Sequence, residues 1–88
     1  MVEAEILEAR IREQVPGVTH VSIEDLTGSR DHYQATVVAS AFAGCSRVEQ
    51  HRLVYGALGE LMAGAVHALA LSTYTPEAWK KRGGSLTR

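Results

Sequence analysis

Eighty-eight residues make one domain with one core, and such a chain buries roughly 60–65% of the surface its unfolded form exposes. Hydrophobic residues are 45% and charged residues 22% of the sequence, ordinary globular usage that excludes disorder as the main state. Nine Lys and Arg against ten Asp and Glu leave a formal charge of -1, a poor footprint for a protein that lives on phosphate backbones.

One cysteine excludes an internal disulfide and an all-cysteine metal site, and it fits a reducing compartment. Glu60 and His67 interrupt the longest apolar run before it reaches the ~20 residues of a membrane span. The chain begins Val2-Glu3-Ala4-Glu5, acidic where a targeting peptide would be basic. A small cytoplasmic domain without membrane association is the expectation.

From Val2 to about Val15, apolar residues recur at Ala4, Leu7, Ile11 and Val15, one stripe on a helix. Glu3 and Glu5 suit the positive end of its dipole, and Pro16-Gly17 reads as a turn. Val18 to Leu26 alternates Val21 and Ile23 with His20, Ser22 and Glu24, and Tyr33 to Ser40 is again β-rich. Around the polar loop Thr27 to Asp31, these two runs predict an antiparallel hairpin.

Ser46 to about Ala63 is the longest periodic segment. Ser46-Arg47-Val48-Glu49 spells a capping box, and Val48, His51, Val54, Tyr55, Leu58, Leu61 and Met62 predict the buried face. Gly64 is placed to stop the helix. Val66 to Tyr74 predicts a third strand, and Thr75-Pro76-Glu77 starts a last helix through Trp79 and Lys80. The single domain covers residues 1–82, and 83–88 form a flexible tail. The order α-β-β-α-β-α predicts an α+β fold, a three-stranded mixed sheet with helices packed on one face.

Together these residues resemble the BolA-like family. The resemblance runs from about Val18 to Trp79 and rests on Ala41-Phe42-Ala43-Gly44, Ser46-Arg47-Val48 and His51-Arg52-Leu53-Val54-Tyr55. It continues in Ala57-Leu58, Glu60-Leu61, His67-Ala68-Leu69 and Thr75-Pro76-Glu77-Ala78-Trp79. The family implies a fold like the type II KH domain. It also implies a monothiol glutaredoxin as partner, either sharing a [2Fe–2S] cluster (with its glutathione) or forming a cluster-free complex. DNA-binding regulation is the other role the family suggests.

Four histidines stand at positions 20, 32, 51 and 67, and none are spaced i, i+3 or i+4 on one element, so a metal would need a second chain to complete its ligands. No cofactor is expected on the isolated chain, a monomer or weak homodimer. A histidine at a strand edge is ordinarily a surface residue. The resemblance implies that His67, in its His-Ala-Leu context, is a cluster ligand, and that the hairpin loop supplies a second. His32 is the candidate there, with Asp31 or solvent as alternatives.

Cys45 stands just before the capped helix, where the positive helix end favours a thiolate. A tolerated small turn residue is the favoured reading, with a redox role or alternative ligation as its rival. His51 reads as a partly buried structural residue. Arg47, Arg52, Lys80, Lys81 and Arg82 are candidates for a nucleic-acid or acidic-partner surface, although a solvated helix face explains them as simply. Gly56-Ala57-Leu58-Gly59 spells the G-x-x-G of KH domains, but within a helix whose Leu58 faces the core it is discounted. No nucleophile triad, phosphate loop or paired-carboxylate signature is present, which argues against an enzyme.

Overall fold

The computed structural model describes residues 4–25, 32–59, 61 and 68–82, and of His32 and Ala68 the backbone. The first helix, α1, is Ala4–Gln14. Its stripe does what the spacing predicts: Leu7 and Ile11, with Val15 just beyond the helix, are at most 3% exposed. Burial of each such side chain contributes about 1.5–3 kcal/mol, so packing rather than intrinsic propensity holds α1 in place. After Pro16 the chain turns at Gly17, whose φ is 71°. The Gly17 carbonyl accepts from the Ser40 amide at 2.9 Å, and a Cβ there would collide with the Ser40 hydroxyl. Backbone conformation and space both require glycine at this turn.

Strand β1, Val18–Asp25, pairs antiparallel with β2, His32–Ala39, setting Val21 opposite Val37 and Ile23 opposite Ala35. This is the expected hairpin; its loop, 26–31, lies outside the described residues. A short 3₁₀ turn, Ser40–Phe42, follows and buries Phe42 completely. Strand β3, Ala68–Tyr74, runs parallel to β2, giving the order β1-β2-β3 and the mixed sheet that the intervening helix requires.

Helix α2 is Arg47–Leu58. Its capping box forms as the sequence predicts: the Glu49 amide donates to the Ser46 hydroxyl at 3.2 Å, and the Ser46 amide donates to the Glu49 carboxylate at 2.8 Å. Two expectations for this helix are corrected. It stops at Leu58 rather than near Ala63, because Gly59 takes φ 53° and closes it with an N–H bond to the Tyr55 carbonyl. Gly64 and Met62 lie outside the described residues. The buried face runs through Val54, Ala57 and Leu58, while Val48 is 60% and Tyr55 38% exposed. On a 100°-per-residue wheel the covered arc is turned by roughly 60° from the apolar stripe. The sheet and α1 decide which arc is covered, and the stripe is wider than that arc.

Tyr33, Ala35, Val37 and Ala39 alternate towards one face of the sheet, together with Val21, Ile23, Leu69 and Leu71. Helices α1 and α2 cover this face. On the other face His20, Val38 and Tyr74 form one row. The third helix, α3, Pro76–Lys81, lays Trp79 against this row, with ring centroids 5.2 Å from both His20 and Tyr74. The helices therefore do not share one face: α3 crosses to the side opposite α1 and α2. Val38, fully buried though it points away from the main core, shows that this second face is covered too.

Candidate functional site

The candidate residues gather at opposite ends of the sheet. At one end His32 opens β2, and its register partner is Ala68, the first residue of β3. Ala68 follows His67 directly in the chain. His67 and Asp31 lie outside the described residues. The parallel register nonetheless sets His32 across from Ala68, the immediate chain neighbour of His67 and 36 positions away from His32 in sequence. Among the described residues no three His, Cys, Asp or Glu side chains are placed to hold a metal ion.

Cys45 belongs to the other end. Its thiol sits 3.6 Å from the Ala41 carbonyl, and its own carbonyl accepts from the Gln50 side-chain amide at 3.1 Å. The same amide donates to the Phe42 carbonyl at 3.3 Å, and the Thr73 hydroxyl donates to Gln50 Oε1 at 2.6 Å. Gln50 thus ties the turn before α2 to the last residues of β3. Five residue steps along β3 separate Thr73 from Ala68, about 16 Å. Cys45 and His32 are held apart by that length of strand.

Nothing in the sequence pattern singles out Gln50. Its only signal is a polar residue on the inner side of a capped helix. His51 is half-buried and meets Tyr55 edge-on, with centroids 6.4 Å apart.

The basic residues are distributed over α2, α3 and the cap of α3. Arg47 lines a groove with Gln50, Thr73, Tyr74, Thr75 and Ala78, between the starts of α2 and α3. Arg52, five residues further on, projects about 140° around the helix from Arg47 and is exposed. Lys80 and Lys81 are exposed on α3. Arg82 places its guanidinium 5.0 Å over the Tyr74 ring and 5.6 Å from that of Trp79, a cation–π contact worth about 0.5–1 kcal/mol at an exposed site. The G-x-x-G run spans the last turn of α2 and its cap rather than a helix interior, with Gly56 and Gly59 exposed and Ala57 and Leu58 buried. No helix among the described residues is long and apolar enough to cross a membrane.

The architecture has known counterparts, and a family model for BolA, described as BolA-like protein, matches residues 4–78. The chain belongs to the BolA-like family. It is 50% identical over 54 residues to BolA-like protein 1 of Bos taurus, which covers 61% of this chain and 40% of that protein. It is 33% identical over 76 residues to the DNA-binding transcriptional regulator BolA of Escherichia coli (strain K12), covering 86% of this chain and 63% of that one. The BolA-like chain thus spans less than two thirds of the length of these curated relatives. A bolA protein homologue from Coxiella burnetii shares its fold with a TM-score of 0.78 at 34% identity, over 91% of this chain and 99% of that one. The resemblance carried by the Phe42, His51 and Trp79 segments is family membership.

Proposed function

We propose that this BolA-like chain is a non-catalytic partner of a monothiol glutaredoxin, sharing a [2Fe–2S] cluster with it in iron–sulfur handling or iron- and redox-dependent regulation. His67 and His32 are this chain's ligands in that reading. The observation that carries it is the register of β2 on β3, which sets His32 opposite Ala68, next in the chain to His67. Histidine ligands from this chain suit a cluster whose remaining ligands come from a second protein. Such a cluster supplies one-electron chemistry or a transferable iron–sulfur unit, at a potential raised by histidine in place of thiolate. This chain's part in that reading is to present neutral imidazole nitrogens. Cys45, at the far end of β3, takes no part.

The test is to mix the chain with a monothiol glutaredoxin, iron, sulfide and glutathione, and to record visible absorption and circular dichroism. A heterodimer whose spectrum differs from that of the glutaredoxin alone is the expected result. An unchanged glutaredoxin spectrum, with no complex on size exclusion, refutes the reading.

A second reading is a nucleic-acid-binding regulator using α2 and the basic residues Lys80, Lys81 and Arg82. It is supported by the name of the Escherichia coli relative and by exposed glycines at the end of α2. Salt-sensitive, sequence-selective binding of duplex DNA by the isolated chain would favour it.

A further inference from the structure

The two edges of the sheet are not treated alike. β1 carries Glu24, Asp25 and a register irregularity between Val18 and His20, devices that discourage a further strand. β3 is Ala-Leu-Ala-Leu-Ser-Thr-Tyr, seven residues without charge or proline, and it stands last in the strand order. In a parallel pair every second residue turns its N–H and C=O towards its neighbour, so the alternate residues of β3 turn theirs to the side on which no strand pairs among the described residues.

A groove of about 220 Å³ runs along that side, lined by Leu71, Ser72, Thr73 and Tyr74 of β3 and by Arg47 and His51 of α2. Successive strand side chains point to opposite faces, so four consecutive residues share one groove only where it follows the strand's edge. Arg47 has no carboxylate partner among the described residues, and none of the groove's lining residues is acidic.

We propose that this edge of β3 is a docking site for an extended peptide segment of a partner protein, which adds as a fourth strand and sets an acidic side chain against Arg47. Main-chain bonds to the open edge supply the affinity, and the Arg47–carboxylate pair selects the sequence. A second copy of this chain fits less well, because its own β3 and the flanking Arg47 and His51 bring no carboxylate to the meeting. The groove occupies the Leu71 to Tyr74 half of β3, away from the end where His32 meets Ala68, so it stands independently of the cluster reading.

The probe is a fluorescein-labelled nine-residue peptide of alternating Thr and Val with one central Glu, titrated with the full chain by fluorescence anisotropy. Saturable binding is expected, with amide chemical-shift changes concentrated at residues 69–74. Replacing the central Glu by Gln should weaken binding about two- to fivefold, the range of one exposed ion pair. The variant Arg47→Glu, at an exposed position, should weaken it roughly tenfold. A probe with alternate backbone amides methylated should not bind, a comparison made on the unaltered protein. Equal binding of the methylated probe, shifts centred elsewhere, or no saturation at about 1 mM protein overturns the proposal. So does a concentration-dependent dimer whose shifts map to 69–74 without peptide, which would give the edge to a second copy.

Discussion

Replacing Gln50 with Leu removes two donated bonds, to the Phe42 and Cys45 carbonyls, and one accepted from the Thr73 hydroxyl. Each such bond has a net value of about 0.5–1.5 kcal/mol, and water reaches the half-buried Gln50 site to recover part of it. The expected cost is therefore about 2–3 kcal/mol. For a domain of this size that lowers Tm by about 10–20 °C. Urea unfolding followed by far-UV circular dichroism measures the same cost, with Thr73→Val as the companion. That single change should cost about 1 kcal/mol, because it removes one bond and keeps the shape. The double variant should lose less than the two singles together, with a coupling of about 0.5–1.5 kcal/mol. A cost under about 0.5 kcal/mol for Gln50→Leu, or no coupling to Thr73, would refute the claim that this side chain fastens α2 to β3. Below its Tm the Gln50 variant should still hold a cluster, since the His32 end lies about 16 Å along the strand.

His67→Ala should abolish the shared cluster spectrum, whereas His32→Ala should shorten its lifetime less, because Asp31 or water can take the loop position; a wild-type spectrum in the His67 variant would remove it as ligand. Cys45→Ser should leave the cluster spectrum unchanged and abolish thiol alkylation, and loss of the cluster with the fold preserved would promote Cys45 to ligand. Gly17→Ala should cost about 2–3 kcal/mol in urea unfolding, from the left-handed φ and the collision with Ser40, and a cost under about 0.5 kcal/mol would mean that the turn rearranges freely. With two imidazole ligands the cluster should be intact at neutral pH and lost as pH falls through and below the ordinary histidine value of about 6.5, since protons compete with iron; a dichroism signal flat down to about pH 5 would exclude histidine ligation.

The distance between the two ends of β3 organises these outcomes. In the proposed reading, residues at the His32–Ala68 end bear on the cluster, and residues around Gln50, Arg47 and Thr73 bear on stability and on the proposed docking edge. Substitutions at one end should leave the other end's readout in place, a separation that depends on the parallel strands being rigid and paired along their length.

What the sequence determined by itself is what short-range chemistry decides. The Ser46 capping box, the Thr75 cap with Pro76 behind it and the Pro16-Gly17 turn each depend on groups within three or four residues, so their side-chain types suffice to locate them. The α1 stripe and the alternation of β1 were legible because period alone places one buried face. The histidines were legible as candidates, by type and by family context. The placing of His32 beside the chain neighbour of His67 was not, because it depends on a parallel pairing of His32 with Ala68, 36 positions apart, that only the register reveals.

Tertiary packing decided the rest. Gly56 and Gly59 looked alike in the sequence, yet only Gly59 takes a positive φ and ends α2. Val48 and Tyr55 lie on an apolar stripe wider than the arc α1 and the sheet can cover, so they stay exposed. Trp79 crosses to the second face because His20, Val38 and Tyr74, distant in the chain, meet there as one row. Gln50 acquires its role only when Phe42, Cys45 and Thr73 are brought to it. Local signals set where elements begin, and long-range contacts set where they end, which way they face and what they hold, because burial is shared between segments that no local window contains.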